Sequence, residues 1–571
     1  MAKTDLLTVT LSFSEESAFD IYSQDQGFLW NSYMIQPLVE FRSRISQRDK
    51  QALDESNILT SAIRGCVLTI TIPASSSPIR AEKSRLPSSL TLLSRLSCLR
   101  AGTRFNSRGI DDDGNAANFV ETETVYYYPS GLCFSYAQIR GSVPIFWEQS
   151  TGLLPHQQKI QITRSLEATQ PAFDKHFEVL EQKYRRTHVL NLLSRSKPGE
   201  VDLTDRYNQH VRASPLNNPS GKRLLQATQF DFHAETQGIG YEAAAAVWPY
   251  IRDQADEFAY FLADQENIKQ ASPRIIVVLQ QGGVFRTNCL DCLDRTNLIQ
   301  TNISQMALQS FLSHRNENAQ SDFWMRHSTL WADNGDALSK IYAGTGALKS
   351  SFTRHGKMSF AGAIADARKS ATRLYINNFA DKGRQNVIDT MLGRLVTQIP
   401  VKLFDPINDF VLTELSRRSN EYTTQNEISI WVGTFNLNGK GRGIGEDLSA
   451  WLCPKISNNQ PLPDLVAVGF QEIVELSPQQ IMNVDPARKL DWELAVAKTL
   501  NDNAHRRGSD EYVLLRSGQL VGAALLVFAK AHCLSSIKNV EGSVKKTGLS
   551  GIAGNKGAVG IRYVLLIWPQ I

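Results

Sequence analysis

The period of hydrophobic and polar positions changes several times along this chain, and each change marks a segment. Over roughly the first 150 residues the pattern predicts strands. "CVLTITI" (Cys66 to Ile72) and "TVYYYP" (Thr124 to Pro129) are rich in β-branched and aromatic residues, which suit a pleated, half-buried surface. "GIDDDGNAAN" (109–118) is a cluster of turn formers between them. "SLTLLSRLSCLRAGTRFNSRG" (89–109) begins as an apolar helix or strand. It ends in a basic loop whose Arg100, Arg104 and Arg108 read most simply as solvated side chains.

From about residue 155 the period becomes helical, with Phe173, Phe177 and Leu180 on one face. "RIIVVLQ" (Arg274 to Gln280) is an apolar run between Pro273 and Gly282, predicting a strand buried on both faces. After residues 286–297, Leu298, Ile299, Ile303, Met306, Ala307 and Phe311 form one broad stripe, an amphipathic helix of about four turns. Residues 389–406 and the polar 415–427 look like the exit from a domain. A new strand then starts, with Ile428, Ile430 and Val432 on one face and Ser429 and Trp431 on the other.

At 571 residues the chain is too long for one core, and about three or four domains are expected. Its 61 basic and 57 acidic residues give a formal net charge of +4, without the excess expected of a nucleic-acid-coating protein. No nucleic-acid partner is expected, and an anionic partner would be met by a local patch. Seven scattered cysteines form no paired framework and read as reduced thiols in a cytosolic protein. The first residues lack a signal-peptide pattern. The most apolar run, Leu520 to Ala529, is about half the length of a membrane-spanning helix. A cytoplasmic protein that reaches membranes only peripherally is expected.

The candidate chemistry lies in "RTNCLDCLDRTN" (286–297). A zinc site at Cys289 and Cys292 needs two more ligands, and no second C-x-x-C or paired histidines supply them. A redox pair at a helix start is chemically possible, but Asp291 between the cysteines and Asp294-Arg295 behind them are odd company. The two cysteines could also be buried packing residues. A fourth reading uses every part. Cys289, Arg295 and Thr296 form a C-x5-R-T loop between a strand and a helix. The helix N-terminus offers unpaired N–H groups and partial positive charge to a phosphate. Arg295 adds a planar fork for two phosphate oxygens. The same field favours a Cys289 thiolate, which attacks phosphorus and forms a phosphocysteine. A carboxyl must protonate the leaving oxygen, and Asp294, beside the arginine, is favoured over Asp291. Each aspartate could instead cap the helix or orient Arg295. Cys292 reads as packing, or as a thiol able to trap an oxidised Cys289.

The string resembles the signature of the Sac phosphoinositide phosphatases. "LRAGTRFNSRGIDDDGNAANFVETE", "GSVPIFWEQ", "FDFHAE", "WADNGDALSKIYAGTGALKSSFTRHGK" and "KSATRLYINNFADKGRQNVIDTMLG" also resemble segments of that family, over residues 1 to roughly 400. The resemblance implies a β-rich N-terminal subdomain (1–155) and an α/β, cysteine-phosphatase-like catalytic subdomain (156–400). It implies Cys289 as nucleophile, no cofactor, and phosphoinositide lipids at membrane surfaces as substrates. Asn288 and Thr296 would then line the phosphate cradle, and Lys349, Arg354 and Lys357 would meet other anionic groups of the lipid. A plain solvated loop is the alternative for those three cations.

Beyond a linker (401–426), residues 427–571 carry "WVGTFNLNG", "PDLVAVGFQEIVEL" and "SGIAGNKGAVGIR". Asn436 and Glu472 at strand ends offer hard oxygen ligands for Mg²⁺, and Lys556 on a Gly-rich turn can meet a phosphate. In this order the motifs resemble the inositol polyphosphate 5-phosphatases, of the endonuclease–exonuclease–phosphatase α/β sandwich. A Sac domain followed by this one is the arrangement of the synaptojanins, which implies endocytic or trafficking proteins as partners. The fold class expected is therefore α/β multidomain, ending in the first half of that sandwich. Family motifs with the catalytic histidine are not found by Ile571, so this half is expected to fold poorly alone and to contribute no catalysis. Three other functions fit the chain less well. A longer native product that completes the second domain would be a Mg²⁺-dependent phosphatidylinositol 4,5-bisphosphate 5-phosphatase. An inactive lipid-binding scaffold has no use for both Cys289 and Arg295. A protein tyrosine phosphatase shares the cradle but not the surrounding segments.

Overall fold

The computed structural model describes the chain except residues 1–6, 10–24, 57, 80–85, 150–159, 218–223, 237–244, 267–273, 289, 292, 349–365, 367, 371, 374, 377–379, 396–397, 400, 402, 424–426, 440–444, 446, 454–460, 476–486, 549–552 and 566–571. Its contacts divide into two units. The first comprises 1–161 and 172–406, the second 162–171 and 407–571.

The first unit is organised by a nine-stranded sheet. Strands β1 (Gly65–Ile72), β2 (Ser88–Leu96), β3 (Val120–Tyr127) and β4 (Cys133–Gly141) form an antiparallel meander. Their side chains alternate as a sheet requires: in β2, Leu90, Leu92 and Leu96 are buried while Thr91, Leu93 and Arg95 are half-exposed. Strands β5 (Arg186–Asn191), β6 (Leu225–Gln229), β7 (Phe261–Glu266), β8 (Arg274–Leu279) and β9 (Gly283–Asn288) complete the sheet. β9 lies between β4 and β5 and runs parallel to both, and β6 pairs parallel to β5. Strands from both sides of residue 155 thus belong to one sheet.

The strand that leads into residues 286–297 is β9, a correction to the expectation from periodicity. Among the described residues β8, the apolar run Arg274–Leu279, pairs only with β7 and leaves Ile275 74% and Val278 59% exposed. β9, "GVFRTN", is buried at all six positions. Arg286 is accommodated there by hydrogen bonds to neighbouring elements. Arg286 donates from Nε to His176 Nε2 (3.0 Å) and from Nη2 to the Ser142 carbonyl (3.0 Å). Burial and the neighbouring guanidinium hold His176 well below its ordinary pKa, so its Nε2 stays an acceptor.

Helix α1 (Pro198–Ala213) follows β5, α2 (Trp248–Phe258) precedes β7, and α3 (Asp294–His314) follows β9. The expected stripe of α3 is its buried face. Ile299, Ile303, Ala307 and Phe311 pack with Tyr126, Phe134 and Phe285 of the sheet, with Leu298 and Met306 at the margin. α4 (Ser321–Ala343) packs beside α3 and against β1 and β2.

In the second unit, β10 (Ile430–Asn436), β11 (Leu465–Gln471), β12 (Tyr512–Leu520) and β13 (Ala523–Lys530) form a four-stranded sheet of order β10-β11-β13-β12. Helix α5 (Ala487–Arg506) covers one face with Trp492, Val496 and Leu500 against Val466, Val468, Phe470, Leu526 and Phe528. Trp431 belongs to that packed face, its ring 5.6 Å from Trp451, and so Ile430 and Val432 point outward at 52% and 73% exposure. The run Leu520–Ala529 is the β12–β13 turn and strand. Among the described residues no helix is long and apolar enough to cross a membrane. A hairpin of β14 (Ile537–Gly548) and β15 (Ala553–Leu565) completes the described part.

Candidate active site

Parallel strands β4, β9 and β5 end at one edge, where Asn288 pairs in register with Gly141 and Asn191. Such an edge, outside the carboxyl ends of parallel strands, is where α/β sheets place ligands. The Leu192 N–H donates to the Asn288 carbonyl (3.0 Å), joining the starts of the two crossover loops. One loop carries residues 289–293 into α3, the other carries Ser194 into α1. Cys289 and Cys292 lie outside the described residues, and so do Lys349, Arg354 and Lys357.

The described loop residues are held from several directions. Asn288 and Thr296 are both 0% exposed. Arg295 donates from Nη1 to the Leu192 carbonyl (3.2 Å) and to Glu200 Oε2 (3.0 Å). Glu200, in the first turn of α1 and almost wholly buried, also accepts the Ser194 N–H (2.7 Å).

The two aspartates differ. Asp291 is gripped by Arg104, with Nε to Oδ1 at 3.0 Å and Nη2 to Oδ2 at 2.5 Å. Arg108 Nη2 adds a bond to Oδ1 (2.7 Å), while its Nη1 reaches the Leu290 carbonyl (2.7 Å). Burial alone would push this carboxyl up, but the two guanidiniums outweigh burial and hold it well below the ordinary range. Asp291 is therefore an ionised anchor of the loop. Asp294, the first residue of α3, accepts the Leu348 N–H at Oδ1 (2.6 Å). Arg373 Nη1 stands 3.6 Å from its Oδ2. Burial pushes the Asp294 carboxyl up, against the opposing pull of Arg373 and the Leu348 N–H. Asp294 thus keeps a proton to higher pH than Asp291, the property a general acid needs.

Glu200, Arg104, Arg108 and Arg373 escaped the sequence reading as parts of the site. The basic loop is not solvated: Arg108 is 3% exposed, and Arg100 donates to the Arg108 carbonyl from Nε (3.1 Å) and Nη2 (2.8 Å). The one available hint was the crowding of three arginines in nine residues in a chain with so small an excess of charge.

In the second unit, parallel neighbours β10 and β11 end together, and Asn436 Nδ2 donates to Glu472 Oε1 (3.0 Å). Glu472 has φ of +50°, a conformation uncommon outside glycine and costly unless the surroundings impose it. Both side chains are exposed. Lys556 lies in strand β15, not on a turn, because its Gly-rich stretch pairs antiparallel with β14. Its side chain is exposed.

Residues 4–237 match the SacI homology domain, and residues 433–566 match the endonuclease/exonuclease/phosphatase family 2. The chain is 50% identical over 541 residues to inositol-1,4,5-trisphosphate 5-phosphatase 1 of Schizosaccharomyces pombe, covering 95% of this chain and 47% of that protein. It is 44% identical over 550 residues to polyphosphatidylinositol phosphatase INP53 of Saccharomyces cerevisiae, with the same coverage of 95% and 47%. Synaptojanin-1 of Mus musculus is 36% identical over 507 residues, 82% of this chain and 30% of that one. The chain spans about half the length of the first two relatives. Among solved structures, the inositol polyphosphate 5-phosphatase domain of spSynaptojanin, in complex with inositol (1,4)-bisphosphate and calcium ion, is 48% identical. That match covers 28% of this chain and 43% of that one, with a TM-score of 0.24. The protein joins a SacI homology domain to an endonuclease/exonuclease/phosphatase region, the order of the synaptojanin-type phosphatases to which most of its length is similar.

Proposed function

We propose that this protein is a phosphoinositide phosphatase that works through a phosphocysteine at Cys289. The observation that carries the reading is the setting of the loop. It leaves a buried parallel strand, opens α3, and has Arg295 tied down on one side and a raised-pKa carboxyl on the other. In the reaction, the Cys289 thiolate attacks phosphorus as the bond to the inositol oxygen breaks. Asp294 gives its proton to that oxygen. Arg295 and the N–H groups at the start of α3 hold the phosphoryl oxygens, whose charge is greatest in the transition state. Water then attacks the phosphocysteine, the S–P bond breaks, and Asp294 takes back a proton. No cofactor is required. The names of the relatives, which include inositol and polyphosphatidylinositol phosphatases, support an inositol headgroup as the substrate class. The protein would meet that substrate at the cytoplasmic face of membranes, beside trafficking proteins.

Asp294 supplies a test of the proton step. Asp294→Asn is expected to lower turnover of an inositol lipid about 100-fold and of an activated aryl phosphate little, since a good leaving group needs no proton. Lipid turnover by the native protein should fall as pH rises through the elevated Asp294 pKa, and the asparagine variant should lose that limb. Equal losses on both substrates would make Asp294 structural.

The Asn436–Glu472 contact favours a second activity, Mg²⁺-dependent removal of the 5-phosphate, in a protein that also holds the water-activating half of the domain. The pair fits a divalent ion: an exposed carboxylate beside an amide, at a strand edge open to water. Glu472 and Asn436 would hold Mg²⁺, which supplies Lewis-acid polarisation of a phosphoryl oxygen, and Lys556 would approach the phosphate. Phosphate release from a panel of inositol lipids, with and without a chelator, separates the two activities. Chelator-resistant release should disappear in Cys289→Ser. Chelator-sensitive 5-phosphate release, where present, should disappear in Glu472→Ala. If all release is chelator-sensitive, the cysteine reading is wrong.

A further inference from the structure

We infer that Glu200 is a positioning residue for Arg295, fixing the plane of the guanidinium so that it meets phosphate in the transition state. The inference rests on the phosphocysteine reading above. It starts from a chain of bonds at the ends of β9 and β5. The Asn288 carbonyl accepts from Leu192 N–H (3.0 Å), and the Leu192 carbonyl accepts from Arg295 Nη1 (3.2 Å). The same Nη1 donates to Glu200 Oε2 (3.0 Å), and that oxygen accepts the Ser194 N–H (2.7 Å). One nitrogen of the guanidinium is thereby locked to the backbone frame of both crossover loops. A carbonyl alone leaves the planar group free to rotate about that contact. A second, charged acceptor removes this rotation.

The charge balance argues the same way. The Glu200 carboxylate is 5% exposed and Arg295 is 16% exposed. A buried charge pair of this kind is no stronger than a well-packed apolar substitute, so stability alone does not require it. Lys197, the other cation paired with Glu200 among the described residues, lies 3.9 Å from Oε1 and is more than half exposed. Arg295 is the near, directional partner. Placement is what the pair provides, and placement matters most where bond making is underway: a misplacement of about 1 Å can cost about 100-fold in rate.

The test compares Glu200→Ala and Glu200→Gln in the full chain, assayed on inositol lipid vesicles and on an aryl phosphate, beside Cys289→Ser. Glutamine keeps the shape and an acceptor oxygen but not the charge. Alanine should lower kcat about 100-fold with KM within about threefold, and glutamine should recover about tenfold of that loss. Orthovanadate, which adopts the five-coordinate geometry of the transition state, should inhibit each variant less in proportion to its fallen kcat. A role in folding alone would lower the amount of active protein and leave the vanadate inhibition constant unchanged. That result, or a glutamine variant no better than alanine, would overturn the inference. If alanine does not fold, the glutamine variant with its vanadate constant decides. Full activity in Cys289→Ser would remove the reading beneath the inference. An inactive Cys289→Ser beside a fully active Glu200→Ala would remove the inference alone.

Discussion

Cys289→Ser should abolish chelator-resistant lipid dephosphorylation, lowering turnover by at least about a thousandfold, while the melting temperature stays at the native value. Asn288, the residue before Cys289, ends a strand buried at all six positions, and Asp294 opens a 21-residue helix. The positive end of the α3 dipole thus follows within a few residues of the end of that strand. On the proposed reading that field would stabilise a thiolate at position 289, whereas a serine hydroxyl is not ionised at neutral pH. Replacing sulfur by oxygen changes little volume, so loss of rate should come without loss of fold. Initial rates on a monophosphorylated inositol lipid, with a thermal melt of the same sample, measure both. More than a few per cent of native turnover in the serine variant would exclude Cys289 as the nucleophile.

Asp291→Ala is expected to cost about 3–5 kcal/mol of stability, because it leaves Arg108, 3% exposed, and Arg104 without their carboxylate. Urea unfolding of the variant and the native chain measures the difference. The sign of the pH dependence follows from the depressed Asp291 pKa. Its contribution is fully present above the ordinary value of 3.8 and is lost only as pH falls below that toward the depressed folded value. A native-like midpoint for Asp291→Ala at neutral pH would show that the two arginines find other partners. Since Arg104 and Arg108 come from the loop after β2, the variant also tests whether the meander half of the sheet holds the candidate loop in place.

Much of the fold was legible because it depends on period. The α3 stripe from Leu298 to Phe311, and the strands at Cys66–Ile72 and Thr124–Tyr127, declare themselves through spacing and β-branched content. The strand before the site did not, because β9 places the polar residues Arg286, Thr287 and Asn288 at buried positions, while the more apolar β8 stands exposed at an edge. Hydrophobicity reports burial only where packing is apolar. The same limit applies to the arginines: Arg108 and Arg104 look like surface residues until a carboxylate 183 and 187 residues away is brought against them. The site was legible where its residues are close in sequence, at Asp291, Asp294 and Arg295. Glu200 and Arg373 were not, since only the return of α1 and of the segment around residue 373 brings them to the loop. Asn436 and Glu472, 36 residues apart, were legible together because each ends a strand, and the two strands are parallel neighbours.

The most direct test of the account is to trap the intermediate. The full chain is mixed with an inositol lipid carrying a radiolabelled headgroup phosphate, quenched in the steady state, and digested. The account predicts label bound covalently to the peptide that contains Cys289, chasing out with unlabelled substrate, and none in Cys289→Ser. Steady turnover with no protein-bound label, or label that persists in the serine variant, would contradict it.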